Sequence, residues 1–485
     1  MRVASFTLVC ACLCTLLLSG CYDLRRSSGG GETRFAPPRK VQAADVAVPA
    51  GYRVEVLATG LTFPTGVAID EAGQPFVIEA GYSYGEVFTQ PRLLLVARDG
   101  SVREVAAGAR NGPWTGVAHH GGAFYIAEGG QIDGGRILRV TPDGATQTLV
   151  EGLPGMGDHH TNGPAIAADG TLYIGQGTAT NAGVVGEDNA HYGWLKRHPR
   201  FHDIPCRDIA LAGENFESQD VVAGTGRAST GAFLPFGTPS TPGQRIPGQV
   251  PCSGAILRLP PGGALEVVAW GFRNPFGLAF SPQGELYVTE NGYDDRGSRP
   301  VWGVPDVLWR VQPGAWYGWP DYAAGRPLTN PDFRPRHKPQ PRFLLAQHPA
   351  APPAPAALLG VHSSSNGLDF SRSPTFGHVG EAFIAQFGDL GPETGKVLAP
   401  VGYKVVRVDP QTGVVHDFAV NRGRVNGPAS KIGGAGFERP VAARFDAKGD
   451  ALYVVDFGVF LQHGEVSLPQ PHTGVLWRIT RLPSQ

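Results

Sequence analysis

One phrase returns six times along the chain: a small apolar run, an Asp/Gly turn, then a short aromatic-led strand ending in Gly. It reads GVAIDEAGQPFVIEAG from Gly66, GVAHHGGAFYIAEGG from Gly116, AIAADGTLYIGQG from Ala165, GLAFSPQGELYVTENG from Gly277, GLDF...GEAFIAQFGDLG from Gly367 and ARFDAKGDALYVVDFG from Ala443. A second phrase alternates with it: RLLLVARDGSVREVA, RILRVTPDGATQTLVEGL, AILRLPPGGALEVVAWG, DVLWRVQPGAW and VVRVDPQTGVVHDFA. Each pair makes two inner and two outer strands, so the chain is predicted to be all-β, a six-bladed β-propeller of four-stranded antiparallel blades. The sixth copy is split. GVLWRITRL from Gly474 supplies one outer strand, and GYRVEVLATGL from Gly51 mimics the missing last one. Pairing the two termini would close the ring and remove the exposed strand edges that recruit other chains.

Alternation in GELYVTE and ALYVVD argues strand, and no stretch keeps a 3.6-residue apolar period, so helix is expected to be scarce. The 68 Gly and 43 Pro are dispersed, as many tight turns require. A single domain over residues 48–485 is larger than most, but a propeller adds blades around an axis without enlarging one spherical core. The formal net charge of -1 offers no reason to expect nucleic acid as a partner.

The first residues have the form of an export signal: basic Arg2, an apolar run to Leu18, then Leu18-Ser19-Gly20-Cys21. That ending resembles a bacterial lipobox, which implies cleavage before Cys21, lipidation of its thiol, and anchorage at the periplasmic or outer face of a membrane. Residues 22–47 read as a flexible tether. Of six Cys, three fall in the signal and one on the lipid; Cys206 and Cys252, in an insertion over residues 184–253 between repeats three and four, are left to form a disulfide. No C-x-x-C-H motif for haem occurs.

Three clusters carry possible chemistry. In GDHHTNG, Gly157 to Gly163, Asp158 and His159 offer an imidazole beside a carboxylate, the makings of a general base. In WGFRNPFGLAF, Arg273 and Asn274 stand at the equivalent entrance of repeat four, where a guanidinium can hold a carboxylate or a developing oxyanion. In TENGYDDRG, the carbonyls of a Gly-containing turn beside Asp294 and Asp295 suit an oxygen-seeking cation such as calcium.

With these clusters in this order, together with DGTLYIGQG, WYGWPDY at Trp316 to Tyr322, and FERPVAARF with LYVVDFG, the chain resembles the soluble quinoprotein glucose/sorbosone dehydrogenases. These are six-bladed propellers that bind pyrroloquinoline quinone (PQQ). The resemblance spans roughly Val48 to Thr480. It implies oxidation of a sugar hydroxyl or aldehyde with hydride transfer to the quinone. His159 would be the base, with Asp158 its neighbour and His160 the competing register. Arg273, Asn274, Gln176 and Arg439 would contact the cofactor, with Lys404 or Lys396 as a second cation. The Gly292 and Tyr293 carbonyls would hold calcium. Glu79 stands where the family places an amide. The electron acceptor would be another protein or a membrane quinone.

Two other classes share this architecture. A calcium-dependent lactonase-type hydrolase would take ligands from Glu79, Glu128 and Glu290. A non-catalytic, surface-anchored binding propeller would use Trp114, Trp302, Trp316 and Trp319 as a recognition face.

Overall fold

The computed structural model describes residues 29–30, 35–83, 87–191, 193–391, 394–395, 397–463 and 466–483. The expected signal, Cys21 and Lys396 lie outside them. Within them, six sheets of four antiparallel strands are arranged around an axis. In chain order, the first strands of the blades are Pro64–Ile69, Trp114–His120, Thr161–Ile166, Pro275–Phe280, Ser365–Phe370 and Pro440–Phe445. Each of these innermost strands contacts the next and the sixth returns to the first, so the ring is closed.

The core lies between blades, because each sheet must bury both faces against its neighbours. Phe76 meets Phe124 across blades one and two with ring centroids 4.3 Å apart, Tyr173 meets Phe280 across three and four, and Tyr287 meets Phe370 across four and five. Phe383 against Phe445 and Phe63 against Phe457 seal the remaining contacts toward the closure. Edge and offset packing of such rings adds about 0.5–1.5 kcal/mol per pair beyond burial. Closure follows the expected route: Tyr52–Leu61 pairs with Gly474–Arg481, Val54 opposite Ile479 and Val56 opposite Trp477. The preceding Val46–Ala47 adds a fifth strand to blade five. Helix is limited to short pieces such as Glu187–His191 and Trp194–Arg197.

Two connections differ from the sequence reading. The insertion lies inside blade three: Leu172–Gln176 pairs directly with Ala255–Leu259, so everything between them loops out of that blade. Cys206 and Cys252 form the expected disulfide within it. In blade four the outermost strand is Ala357–Val361, far from the QPGAW run. That run is drawn onto blade three instead, where Gly314 donates its N–H to the Val268 carbonyl and Trp316 bridges Trp270.

A repeated staple ties each blade to the loop that enters it. The last residue of every second strand is a carboxylate or a carboxamide: Glu79, Glu128, Gln176, Glu290, Gln386 and Asp456. Where the partners are all donors, a carboxylate is present. Glu79 accepts from Thr62 N (2.7 Å) and Arg92, Glu128 from Asn111, Trp114 Nε1 and Arg136, Glu290 from Arg273 N and Trp309 Nε1, and Asp456 from the backbone N of Glu438 and Arg439. Where a carbonyl must also be met, the residue is Gln. Gln176 donates to Pro154 O (3.0 Å) and Gln386 to Leu359 O (3.0 Å). Acceptor-only carboxylates and two-sided amides suit these two cases.

Candidate functional site

The loops that enter first strands and leave second strands meet at one end of the axis. There they enclose a hollow whose polar half is lined by Asp158, His159, Arg273, Asn274, Gly292 and Asp294, and further by Arg296, Asp306 and His362. Its other half is mostly apolar, with Phe276, Phe387, Phe457 and Phe460; Asn274, Asn291, Ser364 and Leu390 border both.

His159 is buried at 5% exposure, and its Nδ1 sits 3.0 Å from both the carbonyl and the hydroxyl oxygen of Thr178. That hydroxyl already donates to Thr180 O at 2.7 Å, so it can only accept from the ring. Both contacts therefore place the proton on Nδ1 and leave Nε2 as the basic nitrogen, with no bond to any described residue. Burial, and then the charges of Arg273 and Arg296, hold the imidazole well below its usual pKa, so it stays neutral and able to accept a proton. His160 borders the apolar half instead: its ring contacts Gly155 O and Gln131, and burial lowers it to about 4.

Asp158 does not hold His159. Its carboxylate receives Arg296 NH2 at 2.6 Å and Asn189 Nδ2 at 3.1 Å, because consecutive residues of the loop point to different sides. Burial lifts it to about 6 despite that guanidinium. Arg296 also bridges Asp188 (2.8 Å) and Asp294 (3.1 Å), joining the short helix of the insertion to the hollow. Arg273 is fixed by Asn181 (2.8 Å) and Asp294 Oδ2 (2.8 Å), and its NH1 reaches Asn291 O. These two guanidinia outweigh burial and keep Asp294 below the usual carboxylate range.

The turn after blade four's second strand is held by Gly292 N donating to Asp306 at 2.9 Å. Only glycine fits at 292, since a Cβ there would lie 2.6 Å from Val304 O. The peptide oxygens of Gly292 and Tyr293 accept no hydrogen bond among the described residues. The Tyr293 side chain is buried to one side, in a separate pocket with Trp319 and Tyr322.

Two expected cofactor contacts lie away from the lining, and a third lies just beneath it. Gln176 is turned into blade three as its staple, with Thr161 Oγ1 donating to it at 2.7 Å. Lys404 pairs with Asp417 at 2.6 Å on the outer strands. Arg439 lies beneath the apolar half, packed on Phe387 (4.8 Å to the centroid), Tyr403 (5.2 Å) and Phe460 (5.2 Å). Its NH1 meets the carbonyls of residues 387 to 389, but its Nε and NH2 find no partner among the described residues.

The carboxylates of the hydrolase reading, Glu79, Glu128 and Glu290, are the staples described above. For the recognition face, Trp114, Trp316 and Trp319 are buried at 1%, 2% and 5% exposure. Sequence reasoning missed Arg296, Asp306 and His362. Arg296 was hidden because Asp158 and Asp188 lie more than a hundred residues away. His362 had a usable signal: it precedes blade five's first strand just as His159 and Arg273 precede theirs. His362 and Ser364 both take left-handed backbone, φ 57° and 48°, a conformation that concentrates at functional sites.

Residues 248–352 match the family model for Glucose / Sorbosone dehydrogenase. Among curated proteins, none matches the chain. Among solved structures, the holo PQQ domain of pyranose dehydrogenase from Coprinopsis cinerea is 18% identical with a TM-score of 0.55, over 93% of this chain and 100% of that one. The calcium structure of the family AA12 enzyme from Trichoderma reesei is 16% identical with a TM-score of 0.52, over 91% and 98%. The PQQ-bound aldose sugar dehydrogenase from Streptomyces coelicolor is 16% identical with a TM-score of 0.50, over 90% and 99%. The segment that carries Arg273, Asn274, Gly292 and Tyr293 thus matches the glucose/sorbosone dehydrogenase model, and the fold around it is similar to that of these solved structures.

Proposed function

We propose that this protein is a PQQ-dependent dehydrogenase that oxidises a sugar hydroxyl or an aldehyde, with His159 as general base. The carrying observation is the imidazole itself: Nδ1 is locked by Thr178, which leaves Nε2 unprotonated, and His159 lines the hollow.

The residues present fit the cofactor in three respects. Two nitrogens of Arg439, Nε and NH2, are buried behind the rings of Phe387 and Phe460 without partners among the described residues, a cationic position for a carboxylated ligand. The free carbonyls of Gly292 and Tyr293 form an oxygen donor set suited to calcium. Asn274, whose Nδ2 donates to Asn291 Oδ1 at 2.9 Å, presents its amide between the two halves of the hollow. Arg439, Asn274 and Arg273 would hold the quinone, and the two carbonyls its calcium. When bound, PQQ with calcium supplies the acceptor for the hydride leaving the substrate carbon.

The chain's own part is proton removal, placement and electrostatics. His159 Nε2 takes the proton of the substrate hydroxyl while Thr178 keeps the ring from rotating. Arg273, immobilised by Asn181 and Asp294, sets a fixed positive charge beside the oxygen that becomes negative. Asp158, tied to Arg296, acts on this arrangement as a positioning residue. Gln176 and Lys404 remain in their structural contacts. The test is His159→Asn: reconstituted with PQQ and calcium, it should lose about 100- to 10,000-fold in dye-linked aldose oxidation while binding PQQ normally. Full turnover in that variant would end the assignment of the base.

The same proposal places the protein outside the cytoplasm, anchored through Cys21. Its support is the lipobox-like ending of the signal and the disulfide between Cys206 and Cys252, a bond of oxidising compartments. No helix among the described residues is long and apolar enough to cross a membrane.

A further inference from the structure

We infer that the rim of blade five, on the face that bears the hollow, is the surface this protein lays against an anionic lipid bilayer. The inference rests on the lipoprotein reading of Cys21.

The first observation is where the tether arrives. Gly29 and Gly30 are buried against blade five: Gly30 N donates to Asp389 Oδ1 at 3.1 Å and Lys431 Nζ to Gly29 O at 2.5 Å. Only glycines fit this seat. A Cβ on residue 29 would meet Asp389 Oδ1 at 2.0 Å, and one on residue 30 would meet Tyr403 Oη at 2.3 Å. Asp389 stands between Gly388 and Leu390, both in the wall of the hollow. Seven residues lie between Cys21 and Gly29, so eight steps along the chain at full extension reach about 28 Å. A lipid on Cys21 therefore keeps this rim, and with it the mouth of the site, close to the bilayer.

The second observation is what the rim exposes. Leu398 and Val425 are the two most exposed large aliphatic side chains among the described residues, at 68% and 66%. They belong to neighbouring loops, since Asn426 Nδ2 donates to Pro400 O at 2.9 Å and Val401 N to Asp389 Oδ2 at 2.9 Å. Exposed Arg422 and Arg424 precede Val425 in its loop, and the sequence has Arg25 and Arg26 after Cys21. Protruding aliphatics with guanidinia in the same loop, next to a lipid anchor, match the chemistry of an interfacial membrane contact, where basic groups and a lipid chain act together.

The experiment uses the full lipidated chain bearing L398C, V425C or, on the opposite face, K448C. Lys448 is exposed in the turn beside Ala447, which lines the far mouth of the axis. With Cys21 lipidated and Cys206 bonded to Cys252, the introduced thiol is the one available to a fluorophore. On phosphatidylethanolamine/phosphatidylglycerol vesicles containing a nitroxide-headgroup lipid, labels at 398 and 425 should be quenched several-fold more than the label at 448. Flotation with the vesicles but equal or stronger quenching at 448 would overturn the inference alone. Failure of the chain to float at all would remove the lipid anchor and this inference with it.

Discussion

At the scale of single residues, the site is decided by which atoms are already committed. In the proposed reaction His159 can serve as the base because Thr178 occupies Nδ1; Asp158, adjacent in sequence, is spent on Arg296. That distinction was not legible beforehand: adjacency in DHHTNG suggested a pair, whereas the partner comes from a loop of another blade. Glu290 gives a pH-dependent counterpart. Burial raises its carboxyl to about 7 from an ordinary 4.5, so between these values the folded chain binds more protons than the unfolded one. Stability from this group is thus fully present below about pH 4.5, falls as pH rises through about 7, and is flat above it. The loss is on the order of 1–3 kcal/mol. Denaturation midpoints measured from pH 5 to 8 should show that decline. Glu290→Gln should flatten it while losing about 1–3 kcal/mol at pH 5, because Trp309 Nε1 or Arg273 N then faces a donor.

At the scale of elements, the six second-strand phrases were readable because period-two patterning and Gly turns are local signals. What each strand's last residue does was not. Gln176 looked like a cofactor contact but serves as one of six staples, and only the set of partners explains why it is Gln and not Glu. The insertion into blade three is likewise a long-range fact. It brings Asn181 to Arg273, and Asp203 holds that turn by accepting from Ala179 N (2.6 Å) and Thr180 Oγ1 (2.5 Å). The disulfide closes a loop with a sequence separation of 46 around this region. Loop-closure entropy for that length predicts a cost of about 4 kcal/mol on its removal. C206S/C252S should therefore melt earlier and lose activity before the ring itself unfolds, as followed by near-UV dichroism and turnover together. In the turn that offers the two carbonyls, Gly292→Ala must displace the backbone to avoid Val304 O. It should raise the calcium needed for reconstitution at least tenfold with little change in the melting temperature of the apoprotein.

At the scale of the whole molecule, closure by the first and last strands makes the axis a shared boundary of six blades, so residues more than a hundred positions apart meet there. The ring and its closure were legible from the repeats and the split sixth copy. The composition of the hollow was legible only in part, since Arg296 and His362 reach it from connections with no repeat signature of their own. The central claim is that this hollow takes a carboxylated quinone with calcium, anchored by the unpartnered side of Arg439. Calorimetric titration of EDTA-treated apoprotein with PQQ in millimolar calcium tests it directly. The account predicts one PQQ per chain, with affinity at least tenfold weaker in Arg439→Gln. A folded apoprotein that takes up no PQQ under these conditions would contradict it.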